Sequence, residues 1–277
     1  MKISVLIPSF LEKRRLTALV NTLLKDKPSK NIQRIIIVTP NEVKLPKSRK
    51  IVVIKERKRK GKSYAIKIGL KHINTSLVLL LTSDIRIRKN FLQYLLSHLK
   101  DPTIGAVVGR PIADKNSKIY KFSKIIWDLH HLLCLHQPKG TEIMLFRKIF
   151  KDFPLVSADE VFIEYKIRKA GYKIVYEPRA YGYTKTPYTL LQFFRQRRRS
   201  FNGHLQIKER YKFETSSMKI SLLLKIVLEY LRKEHSLKTF FNLLIVIFIE
   251  ILARICATID AKRNKYEIIW ERSLNRF

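Results

Sequence analysis

The chain has 277 residues, with 57 Lys+Arg against 22 Asp+Glu and a formal net charge of +35. Its 46% hydrophobic and 10% aromatic content can bury a core, which excludes wholesale disorder, collagen and a long coiled coil. Cys134 and Cys256 stand far apart and outside any C-x-x-C, which excludes a disulfide framework or zinc cluster and suits a reducing compartment.

In chain order, apolar β-rich runs alternate with segments of helical period. Strands are expected at 2–7, 33–38, 51–54, 77–82 and 104–108, with helices at 12–25, 62–72 and 89–99. The first run is too short for a signal peptide and meets Pro8. RIIIV (34–38) and LVLLL (77–81) are continuously apolar, as strands covered on both faces are. The pattern is α/β with a mostly parallel sheet, and residues 1–215 read as one domain.

Beyond it, 216–277 form a separate helical region. KISLLLKIVLEYL (219–231) has the pattern of an amphipathic helix. Between Thr239 and Ile259 only Glu250 and Arg254 are charged, and as a helix the segment is long enough for a hydrocarbon core of about 30 Å. Those two lie four apart and can pair. Arg232, Lys233 and Lys238 before it, and Lys262, Arg263 and Lys265 after it, suit lipid headgroups. Membrane association is expected; with both flanks basic, spanning and in-plane placements stay open.

In an open parallel sheet, ligands bind beyond the carboxyl ends of the strands. That edge collects Pro8 to Glu12, Thr39 to Glu42 and Thr82 to Asp84. GKS at 61–63 is not a P-loop, because position 56 is Glu56, and there is no G-x-G-x-x-G. Asp84 reads either as a helix N-cap or as a carboxylate holding a cation on a diphosphate. Asp159 and Glu160 begin a helical stretch, where they complement the macrodipole or serve as a general base. Gln196 to Arg199 is a cationic run, either solvated or suited to diphosphate oxygens.

Together, IPSF-x-E (7–12), GK (61–62), the acid at 84, DE (159–160) and QRRR-x-x-x-G (196–203) resemble family 2 glycosyltransferases of the GT-A fold over about residues 1–205. The last two motifs resemble the membrane-bound synthase branch that includes cellulose and hyaluronan synthases. The resemblance implies an inverting, hexosyltransferase-like enzyme of polysaccharide biosynthesis. It would use a nucleotide-diphospho-sugar donor, a Mg²⁺ or Mn²⁺ ion, and a lipid-linked or glycan acceptor. It implies that Pro8 and Glu12 border the nucleoside, with Asn41 and Glu42 substituting for a base-binding acid. Lys62 would lie near the nucleotide, Asp84 would bind the metal, and Asp159 or Glu160 would be the base. Gln196, Arg197 and Arg199 would meet the diphosphate. The sequence departs from the family at Thr82, the first acid of its D-x-D, and at Ser200, its acceptor-side tryptophan. The catalytic domain is expected on the cytoplasmic side of a membrane.

Three rivals remain: a polyprenyl-phosphate sugar synthase, a protein that only binds sugar nucleotides, and a basic nucleic-acid-binding protein. The last lacks aromatic-interleaved basic motifs, so nucleic acid is not an expected partner.

Overall fold

The computed structural model describes residues 1–150, 152–234 and 236–269. The strands are β1 (Ile3–Pro8), β2 (Ile32–Thr39), β3 (Ile51–Lys55), β4 (Leu77–Leu81), β5 (Arg86–Ile87), β6 (Ile104–Ala113), β7 (Ile143–Arg147) and β8 (Lys173–Thr184). They form one sheet in the order β3-β2-β1-β4-β7-β6-β8-β5. β3, β2, β1 and β4 run parallel, as do β6 and β8. β7 is antiparallel to both its neighbours. Its beginning, not its end, therefore joins the carboxyl edge where β1, β2 and β4 finish.

The helices are α1 (Arg14–Lys25), α2 (Lys62–Lys71), α3 (Phe91–His98), α4 (Tyr120–His136), α5 (Asp159–Lys169), α6 (Leu190–Tyr211), α7 (Ile220–Lys233) and α8 (Leu237–Lys262). α1 buries Leu16, Leu19, Val20 and Leu23, one stripe at helical spacing. With Phe91 and Leu95 of α3 it covers one face of the sheet. α2 and α5 cover the other through Ile66, Leu70, Phe162, Ile163 and Ile167. The β4 side chains are buried on both faces, which is why that run has no polar alternation.

A third cluster joins α4, α6, α7 and α8 through Phe122, Leu133, Phe193, Ile226, Leu243 and Val246. α8 contains the apolar 239–259 segment and is long and apolar enough to cross a membrane. It also lies along α6. Glu250 takes a two-pronged ion pair from Arg197 (2.7 and 3.3 Å) and another from Arg254 (3.1 Å), while Arg198 grips Asp260 (2.6 Å). The Arg254 guanidinium also covers the Phe201 ring at 4.5 Å. The charges that interrupt the apolar segment thus face the α/β body. Phe241, Phe248 and Ile255 on α8, and Ile220, Leu224 and Leu228 on α7, are exposed.

Candidate active site

Three local arrangements set the site. The turn carrying Asp84 is pinned by Arg15, which donates to the Asp84 carbonyl at 3.0 Å and is itself held by Asp114 at 2.9 Å. The turn carrying the paired acids is held from two helices. From α2, Ser63 Oγ accepts the Val156 amide at 3.2 Å; from α6, Gln206 Oε1 accepts the Ser157 amide at 2.8 Å. Gly203 permits this approach, since a Cβ there would stand 2.9 Å from the Ala158 Cβ and 3.0 Å from its nitrogen. A Cβ on Gly140 would meet the Glu160 carbonyl oxygen at 2.4 Å. Both glycines are sites of close backbone approach.

The result is a cavity of about 680 Å³ lined by Pro8, Lys62, Asp84, Asp159, Glu160, Gln196, Arg197 and Arg199. Residues scattered from the first strand to the arginine run meet in one place. Glu12 is buried behind the lining, with its carboxylate reached by the lining Lys185 at 3.0 Å. Asn41 lies elsewhere: with Glu42 it lines a separate depression, and its Oδ1 accepts the Leu11 amide at 3.0 Å. Leu11 has φ 57°, an unfavourable conformation for leucine, so this bond steadies the turn after β1. Arg197 reaches the cavity wall already paired with Glu250.

The electrostatics separate the two acids. Asp159 is buried and paired with Lys62 at 2.8 Å. Burial opposes the charge of Lys62, yet Asp159 and Glu160 outweigh it and hold the ammonium above its ordinary pKa. Burial, then the neighbouring Asp159 charge, pushes the Glu160 carboxyl up. Burial and the Asp84 carboxylate likewise push up Glu142. His130 lines the cavity, and burial followed by the Lys139 charge lowers its pKa well below 6.5. The adjacent His131 turns away to the Tyr176 hydroxyl at 2.8 Å.

Sequence reasoning assigned no role to several lining groups. Glu56, after β3, and Arg59, whose guanidinium covers the Phe10 ring at 3.8 Å, are among them. Lys139 and Glu250 are two more. Glu250 was visible only as half of an i,i+4 pair with Arg254, and nothing in the sequence aligned it with Arg197. Glu142 carried a weak signal, as the acid following the Gly140-Thr141 turn.

Among the described residues no three His, Cys, Asp or Glu side chains gather as a metal cluster. Asp84 and Glu142 nevertheless share the cavity, and Glu142 Oε2 is buried without a hydrogen-bond partner among the described residues. Two carboxylates completed by phosphate oxygens fit Mg²⁺ or Mn²⁺ chemistry.

Among solved structures, the mannosyltransferase PcManGT from Pyrobaculum calidifontis, in complex with GDP-Man and Mn²⁺, has a similar fold. Its TM-score is 0.62 at 14% identity, covering 95% of this chain and 88% of that one. Glucosyl-3-phosphoglycerate synthase from Mycobacterium tuberculosis, solved with phosphoglyceric acid, gives 0.50 at 13% identity, over 74% and 79%. By sequence, the poly-beta-1,6-N-acetyl-D-glucosamine synthase of Staphylococcus aureus is 25% identical over 192 residues, which is 64% of this chain and 46% of that protein. The chain thus spans about half the length of the curated relatives it matches. The model of glycosyl transferase family 2 matches residues 4–169, more than half of the chain. With an eight-stranded, mostly parallel GT-A sheet behind a cavity lined by acids and arginines, the chain belongs to glycosyl transferase family 2.

Proposed function

We propose that the protein transfers a sugar from a nucleotide-diphospho-sugar to a lipid-linked or surface-glycan acceptor, with inversion, at a membrane surface. The observation that carries this reading is the shared cavity: Asp84, the acids at 159–160 and Arg199 face one space, which continues to the apolar wall formed by α7 and α8. Pro8, Phe10, Glu56 and Arg59 would enclose the nucleoside. Lys62 and Arg199 would neutralise the departing diphosphate, where preorganised cations act most strongly. A divalent cation at Asp84 would supply further positive charge to those oxygens. Glu160 would take the acceptor proton, while Asp159, tied to Lys62, would hold the turn in place.

The packing of α8 supports an in-plane membrane attachment. Its inner stripe is committed to cationic α6, so a spanning α8 would draw α6 into hydrocarbon. Lying flat, α7 and α8 would bury their exposed apolar sides while the basic flanks meet headgroups. Residues 216–277 would then serve as the attachment of a catalytic domain at 1–215, facing the cytoplasm.

A polyprenyl-phosphate acceptor is the second reading, favoured by Lys139 and Arg254 beside that apolar wall. An acceptor phosphate needs no base. Turnover of UDP- and GDP-sugars with lipid-phosphate and glycan acceptors, by wild type and Glu160→Gln, separates the readings. Loss of turnover in the variant supports a hydroxyl acceptor, near-normal turnover supports a phosphate, and no turnover by wild type on any pair contradicts the transferase reading.

A further inference from the structure

The family's D-x-D has only its second acid here, with Thr82 at the first position. The register of the sheet shows where a substitute stands. β4 and β7 pair antiparallel with Leu80 opposite Met144 and Leu81 opposite Ile143. The ladder ends there, with Thr82 the residue just after β4 and Glu142 the residue just before β7, and both line the cavity. A carboxylate absent just past the end of one strand thus has a counterpart just before the start of its neighbour, in the lining of the same cavity.

The surroundings of Glu142 agree with this geometry. The side chain borders the cavity, and the Thr184 hydroxyl bonds to it, yet Oε2 is sealed from solvent without a hydrogen-bond partner among the described residues. Thr82 Oγ1 is also buried without one. A buried carboxylate oxygen left unsatisfied beside a second carboxylate is costly unless it takes up a proton or a cation joins the two, and a cation alone relieves both carboxylates at once. We infer that Glu142 is a ligand of the divalent cation, acting with Asp84 in place of the acid absent at Thr82. Mg²⁺ and Mn²⁺ held by one or two carboxylates take their remaining ligands from water and the substrate's phosphates, so no third protein acid is required.

The inference rests on the metal-dependent reading above, and the test distinguishes the two. Mn²⁺ binding to the full chain is followed by loss of the free-ion electron paramagnetic resonance signal, with UDP and, separately, GDP present. Wild type is expected to bind, and Asp84→Asn and Glu142→Gln each to weaken binding at least about tenfold, the low end of what losing even an outer-shell partner costs a metal site. Thr82→Asp in the Glu142→Gln background is expected to restore most of the loss. Wild-type affinity in Glu142→Gln alongside a loss in Asp84→Asn overturns the assignment of Glu142 and leaves the metal intact. No Mn²⁺ uptake by wild type with either nucleotide overturns the metal-dependent reading itself. Thr82→Asp alone keeps the test open should Glu142→Gln not fold: tighter Mn²⁺ binding supports a site between the two strand ends, and unchanged binding contradicts it.

Discussion

Asp159 and Glu160 are neighbours in sequence but not equivalent in chemistry. The Lys62 ammonium at 2.8 Å occupies Asp159, whereas burial and that adjacent charge push the Glu160 carboxyl up. Replacing Glu160 by Gln should lower kcat by about 10²–10⁴-fold for a hydroxyl acceptor, with KM little changed, in initial-rate measurements. Because the base must be ionised, activity should fall as pH drops through the Glu160 pKa. That acid limb should lie above the ordinary glutamate value of about 4.3 in a kcat–pH profile. The pair itself was legible in the sequence as two acids opening a helix. Their division of roles was not, because Lys62 arrives from another helix and the burial that raises Glu160 is a tertiary effect.

Among the elements, α6 links the site to α8. Its Gly203 rests on the acid turn and its arginines hold α8. Gly203→Ala should over-pack the turn, costing about 1–3 kcal/mol and lowering activity at temperatures where the fold persists; denaturant melts and rates measure both. Glu250→Leu strands two guanidinium groups that share one carboxylate, and should cost about 3–5 kcal/mol. Arg197→Leu added to it should recover part of that loss, as denaturant unfolding would show. The first strands and helices were legible from apolar runs, since α1, α2 and α3 lie at the expected positions to within two residues. The reversed direction of β7 was not legible, because a five-residue apolar run carries no sign of orientation. The 239–259 segment was legible as a long apolar helix, but its partner was not: ion pairs between α6 and α8 depend on how the chain turns back.

At the scale of the molecule, the excess of basic residues and the exposed apolar sides of α7 and α8 act together. Phe241→Asp with Phe248→Asp should weaken binding to vesicles rich in anionic lipid while leaving donor binding intact. Sedimentation should also show wild-type binding falling as salt rises, the screening expected of surface charges. The apolar runs that become α7 and α8 were legible in the sequence, whereas the shared cavity became visible only when β1, β4, β7, α2, α5 and α6 were brought to one sheet edge. Asn41 marks the limit of reading by position: it follows the expected strand, yet its side chain serves the neighbouring turn. The most direct test is calorimetric titration of UDP- and GDP-sugars into wild type and Asp84→Asn, with and without Mn²⁺. A single metal-dependent site that wild type has and the variant loses is the predicted result. Absence of binding in wild type under every condition, or binding indifferent to both Mn²⁺ and Asp84, would contradict a cavity built to hold a donor diphosphate.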